Sequence, residues 1–164
     1  MRPNGARQRR VRLPFAAADA DWQPACTLKG TQHHDVLRGG PGRDLICWSG
    51  GGDVIYAGGG DDLVFGGTGS DTIYGGSGDD YLQGGGSRAT AGDDLYGGPG
   101  NDDLLGSRLG DTLSGGSGAD RLQGQIGNDS IDSDDGVRGN DLANGGPGSD
   151  TCRADAGDTV LDCP

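Results

Sequence analysis

The sequence contains no glutamate; all 25 of its acidic residues are aspartate. A solvated acidic surface draws on both acids, so exclusive use of the shorter arm points to carboxylates held close to backbone turns. Large apolar side chains are scarce as well: Leu, Ile, Val and Phe together number 27 of 164 residues. That excludes a broad hydrophobic core, and no apolar run is long enough to span a membrane as a helix. Histidine is limited to His33 and His34, and no cysteine pair has the spacing of a zinc site. No G-x-S-x-G marks a nucleophile, and no Gly-Lys-Ser/Thr follows the glycines to make a phosphate loop. No segment carries helical periodicity.

What is present in excess is glycine, at 37 residues, with 7 prolines and a net charge of −12. A chain with this composition normally stays disordered, because burial cannot offset chain entropy. The order of the residues therefore has to decide. The charge is uneven: residues 1–12 hold five Arg and no acid, and residues 13–164 carry 8 Lys plus Arg against 25 Asp, a balance of −17. Such a surface repels nucleic acid and anionic lipid and attracts cations. Residues 1–25 read as a disordered leader. Their short apolar run, Leu13 to Ala18, contains Pro14 and precedes an Ala18-x-Ala20 pattern, as in a truncated secretory signal.

An Asp followed two places later by an apolar residue recurs at 35, 44, 53, 62, 71, 80, 93, 102, 111, 120, 129, 141, 150 and 158. The spacing is nine except for gaps of 13, 12 and 8, and the longer gaps mark insertions near Gly86–Thr90 and Ser133–Arg138. A clear unit is Gly75-Gly76-Ser77-Gly78-Asp79-Asp80-Tyr81-Leu82-Gln83. Its first six residues are turn, where glycines supply positive φ and close backbone approach. Its last three alternate out-in-out, a strand of minimal length with one inward apolar residue. Two units make an 18-residue coil, and about seven stacked coils form two facing parallel sheets. Tyr56, Phe65, Tyr74 and Tyr96 end repeats on the outward register and form a small ladder.

Stacking sets the Asp of alternate repeats above one another, with glycine-turn carbonyls beside them. A column of carboxylates at strand spacing repels itself, and calcium answers this need with six to eight oxygens drawn from carboxylates and carbonyls. Magnesium, with stricter geometry and retained waters, fits less well. The expected ligands are Asp35, Asp44, Asp53, Asp62, Asp71, Asp80, Asp93, Asp102, Asp111, Asp120, Asp129, Asp141 and Asp150. The turn glycines that accompany them are Gly40 with Gly42, Gly58 with Gly60, Gly67 with Gly69, Gly76 with Gly78, Gly98 with Gly100, and Gly116 with Gly118. Pairs crossing the insertions (Asp71 with Asp93, Asp120 with Asp141) and repeats with His33, Ala91 or Leu109 at the fourth place are less regular. Asp could instead merely cap turns by bonding backbone amides. Asp132-Ser133-Asp134-Asp135-Gly136 lacks the Glu of an EF-hand loop and reads as an inserted acidic loop.

The G-G-x-G-x-D-x-U-x unit resembles the RTX, or haemolysin-type, calcium-binding repeat over about residues 30–161. The resemblance implies an all-β parallel β-roll, a right-handed β-solenoid, with multiple calcium ions in the turns. It also implies that the sixth-place Asp ligates calcium together with turn carbonyls. The chain departs from toxins, proteases and lipases of that family in having no room for an effector domain. The four cysteines allow three pairings; Cys26–Cys47 and Cys152–Cys163 are preferred because the others would tie the two ends of a long array together. Paired in this way they cap the 26–164 roll and imply an extracellular setting, while reduced thiols remain the alternative. The expectation is thus a secreted, monomeric, non-enzymatic calcium binder. The rivals are an adhesion module with a glycan or cell-surface ligand and the repeat tail of a hydrolase or toxin.

Overall fold

The computed structural model describes residues 26–47, 49–86 and 91–164. The leader reading of residues 1–25 and most of the first insertion lie outside the described residues. Among the described residues every regular element is a strand. In chain order they are β1 (Leu28–Lys29), β2 (Val36–Arg38), β3 (Leu45–Cys47), β4 (Ser49–Gly50), β5 (Val54–Gly59), β6 (Leu63–Thr68), β7 (Thr72–Ser77) and β8 (Tyr81–Gly85). There follow β9 (Asp94–Pro99), β10 (Asp103–Leu105), β11 (Thr112–Ser117), β12 (Arg121–Gln123), β13 (Ser130–Asp132), β14 (Leu142–Asn144), β15 (Thr151–Arg153) and β16 (Thr159–Leu161).

Apart from β4, successive strands alternate between two sheets, and the strands within each sheet pair in parallel. One sheet has nine strands, ordered β1-β3-β6-β8-β10-β12-β14-β16 with β4 also on β6; the other has seven, β15-β13-β11-β9-β7-β5-β2. This is the expected β-solenoid of about seven coils. The register follows the 18-residue repeat: Ile55 lies beside Ile73, and Val64 beside Leu82. It also survives both insertions, since Ile73 pairs with Leu95 and Leu122 with Ala143. Neither insertion displaces the ladder.

The inward residues form a single line, with Ile46, Ile55, Val64, Ile73, Leu82 and Leu95 all fully buried and the row continuing to Ala143. A one-residue-wide core buries little, so the coil depends on what fills its turns. Several strands are longer than the three residues expected. β5, β7, β9 and β11 run six residues into the glycines, pairing Gly58 with Gly76 and Gly98 with Gly116. Without Cβ atoms, successive turns approach closely enough to continue the ladder.

Tyr56, Tyr74 and Tyr96 stack on the outer face of the seven-stranded sheet, with ring centroids 5.0 and 4.9 Å apart and planes within 11°. Arg38 lies 4.3 Å over the free face of Tyr56. Phe65 departs from the expected ladder. It sits on the other sheet and packs against Tyr81, because alternate repeats belong to opposite sheets. The two disulfides join Cys26 to Cys47 and Cys152 to Cys163. Each closes a short loop at one end of the array, worth roughly 3 kcal/mol in chain-entropy terms. Among the described residues no helix is long and apolar enough to cross a membrane.

Because the core is one residue wide, truncating it leaves a cavity with nothing to collapse into. Leu82→Ala is expected to lower stability by about 2–5 kcal/mol in urea unfolding with calcium present. Tyr74→Ala, which removes an outer-face stack, is expected to lose only about 1 kcal/mol.

Candidate metal centre

The repeat Asp form two columns, one along each edge of the roll. Asp44, Asp62, Asp80, Asp102, Asp120 and Asp141 lead into the nine-stranded sheet. Asp35, Asp53, Asp71, Asp93, Asp111, Asp129 and Asp150 lead into the seven-stranded sheet. Within each column the coils are joined by one repeated contact: the backbone N–H of each Asp donates to Oδ1 of the Asp one coil later. The distances are 2.7 Å from Asp44 to Asp62, 2.8 Å from Asp62 to Asp80, and 2.9 Å from Asp53 to Asp71. The contact crosses both insertions, from Asp71 to Asp93 at 2.9 Å and from Asp120 to Asp141 at 2.7 Å. The pairs that were irregular in sequence are therefore regular in space. Asp capping of backbone amides does occur, but in most repeats it engages only one oxygen of the carboxylate.

The other oxygen is the informative one. Oδ2 of Asp62, Asp71, Asp80, Asp102, Asp120, Asp129, Asp141 and Asp150 is buried without a hydrogen-bond partner. Each of these residues is at most 5% exposed. In the regular repeats Oδ2 lies against the first glycine of its own turn: a Cβ on Gly66 would come within 2.6 Å of Asp71 Oδ2. The first-place glycine thus leaves the room that the carboxylate occupies. Second- and fourth-place glycines from Gly58 to Gly118 take φ between 98° and 145°, whereas Gly40 and Gly42 in the turn of Asp44 do not. At the fourth place the carbonyl of Gly60 faces the Cα of Gly78, one coil on, so a Cβ there would be 2.5 Å from the oxygen.

A buried carboxylate without a partner is unfavourable as an anion. Burial first, and neighbouring carboxylates with it, push Asp71 and Asp102 up to about 7. Burial likewise pushes Asp80, Asp93, Asp120 and Asp129 up to about 6. Asp35 moves the other way, lowered by the Thr31 backbone N–H and hydroxyl, which both donate to its Oδ2 at 2.6 and 2.8 Å.

These residues fit a hard divalent cation. All the open groups are oxygens, and glycine turns bring carbonyls beside them. Among the described residues no three of His, Cys, Asp or Glu converge on one point. A cation here would therefore draw most of its ligands from backbone carbonyls, which suits calcium and excludes zinc. When bound, it would supply the positive charge each column lacks.

Sequence reasoning missed a second row beside one column. Asp79 N–H donates to Asp61 Oδ1 at 3.1 Å, Asn101 N–H to Asp79 Oδ1 at 2.8 Å, and Ala119 N–H to Asn101 Oδ1 at 2.9 Å. The 61–79–101 spacing of fifth-place residues could have revealed it. His33 and His34 are in a turn and not on a strand, and His34 Nδ1 lies 2.5 Å from Gly52 O. In the acidic loop Arg153 pairs with Asp132 at 3.4 Å and with Asp134.

The model of the RTX calcium-binding nonapeptide repeat, taken four copies at a time, matches the chain in overlapping stretches, namely 27–47, 49–73, 56–90, 65–104, 88–113, 105–137 and 135–161. No curated protein matches the chain.

Two outcomes follow for the calcium-free chain. The raised carboxyl pKa values mean that the fold binds protons more tightly than the unfolded chain does. Their stabilising contribution is full below about pH 4 and is lost as pH rises through 6 to 7. Far-UV circular dichroism in chelator is therefore expected to gain strand signal as pH falls from 8 to 5. With calcium present the same change is expected to weaken the fold, because protons compete for the ligands. Separately, Gly75→Ala places a Cβ against Asp80 Oδ2 and Gly97 O. It is expected to lower stability by about 2 kcal/mol or more in thermal melts with calcium.

Proposed function

The chain belongs to the RTX calcium-binding repeat family, and on that premise we propose that it is a secreted, non-enzymatic protein whose folding is driven by calcium. The proposed ligands are the repeat Asp carboxylates with glycine-turn carbonyls, each ion shared between turns of successive coils. The observation that carries the reading is the run of buried, partnerless Oδ2 atoms at Asp62, Asp80, Asp102, Asp120 and Asp141 in consecutive coils. A fold that leaves such a row open is unfavourable on its own and becomes favourable when a divalent cation fills it.

Extracellular placement is supported by the two disulfides, which persist in oxidising compartments. It is also supported by the calcium supply there, since a protein that folds only on calcium stays unfolded in a cytosol that is poor in it. The non-enzymatic reading rests on the absence of any nucleophile motif from the 164 residues. The tyrosine ladder gives little purchase to a stacking sugar. Tyr74 is covered on both faces by Tyr56 and Tyr96, and Tyr56 is covered by Arg38 and Tyr74.

Titrating calcium into chelator-treated protein at pH 7.4 is expected to produce a cooperative rise in strand signal, with heat of binding over the same range. EGTA is expected to reverse it. Strand signal that chelator leaves unchanged would sink the proposal.

A further inference from the structure

Two kinds of turn can be told apart by the residue at the second place of the repeat. Positive φ occurs there at Gly58, Gly67, Gly76, Gly98 and Gly116, and again at Gln125 and Gly146. In every one of these turns the Asp four places on keeps a buried Oδ2 with no partner. At Thr31, Gly40 and Ser107 the second-place residue lacks positive φ. In each of those the second-place N–H swings inward and donates to Oδ2 of the turn's own Asp: Thr31 to Asp35 at 2.6 Å, Gly40 to Asp44 at 2.7 Å, and Ser107 to Asp111 at 2.5 Å. In these turns the backbone conformation at one position goes with the state of the carboxylate; the turn of Asp141, which follows the second insertion, keeps an open Oδ2 without that positive φ.

The Ser107 turn is closed most completely. The Ser107 hydroxyl also donates to Asp111 Oδ1 at 3.1 Å. The neighbouring Gly106 carbonyl accepts from Gln125 Nε2 at 2.8 Å, and the Ser107 carbonyl accepts from the Ile126 N–H at 3.3 Å. Both carboxylate oxygens and the first two carbonyls of the turn are thus engaged by the protein's own donors. A Cβ disfavours positive φ at Ser107, so this turn is held closed. At the far end of the other edge the Asn140 side-chain amide similarly donates to the carbonyl of Gly118.

Resting on the calcium reading above, we propose that the open turns alone are the calcium sites. The edge leading into the nine-stranded sheet then holds an unbroken column through Asp62, Asp80, Asp102 and Asp120. The opposite edge is split by a metal-free turn at Asp111, and Asp35 and Asp44 are metal-free ends. In this arrangement Ser107 and Gln125 are built-in substitutes for an ion, and they divide the second edge into separate groups, one around Asp71 and one around Asp129 and Asp150.

The test is a count of bound calcium on the full chain by equilibrium dialysis at saturating calcium chloride, with circular dichroism as the folding control. Asp80→Asn keeps the Oδ1 acceptor and is expected to lose one or two ions per chain. Asp102→Asn is expected to do the same, and Asp111→Asn is expected to lose none. Should Asp111→Asn fail to fold, anomalous diffraction from calcium-loaded wild-type crystals decides the matter. Ions beside Asp80 and Asp102, with none between the 106–111 and 124–129 turns, support the inference. An ion in that gap, or equal losses from Asp80→Asn and Asp111→Asn, overturns it while calcium binding itself stands. A wild-type chain that binds no calcium overturns the underlying reading instead.

Discussion

From Asp35 to Asp129, each repeat Asp gives its backbone N–H to one carboxylate oxygen of the Asp in the next coil, at 2.7 to 2.9 Å along both edges. This contact fixes the stacking register, because it joins the same place of every second repeat. It also orients the carboxylate. With Oδ1 held by an amide, Oδ2 is turned back against the first glycine of its own turn and left buried. The glycines, the absence of Glu and the open oxygens all follow from it. A longer acid would not reach the amide while keeping its second oxygen in the turn, and any Cβ at the first place would occupy that oxygen's position.

The same contact explains why a chain with a disorder-like composition has an ordered structure. Its apolar core is a single file from Ile46 to Ala143. Burial on that scale does not offset the entropy of ordering nearly 140 residues, nor the repulsion within two files of carboxylates. The deficit is electrostatic and local to the turns, so its remedy is local as well: protons at low pH, a divalent cation at neutral pH, or side-chain donors where the repeat is irregular. Thr31, Ser107, Gln125 and Asn140 supply the third kind of remedy.

Much of this was legible in the sequence. The nine-residue spacing gave the strands, the inward Leu and Ile, the two Asp columns and the partners within each column. Disulfide pairing followed from the position of the cysteines near the two ends. Other features were not legible, for definite reasons. Periodicity shows that Asp71 and Asp93 are in phase but not that the ladder and the Asp71–Asp93 contact continue across the insertion between them. It assigns Phe65 and Tyr74 the same place in their repeats but not the same sheet. Above all, periodicity treats Asp80 and Asp111 alike. The difference lies in one backbone angle at Gly76 and Ser107, which decides whether an N–H points toward the carboxylate.

The most direct measurement is amide hydrogen exchange, followed by NMR, at the repeat Asp positions with and without calcium at neutral pH. These N–H groups make the contact on which the fold depends. With calcium, the amides of Asp62, Asp80 and Asp102 are expected to be strongly protected. In chelator their protection and the spread of their signals are expected to collapse toward those of an unfolded chain. Equal protection in both conditions would show that the carboxylate columns stand without a cation, and would contradict calcium-driven folding.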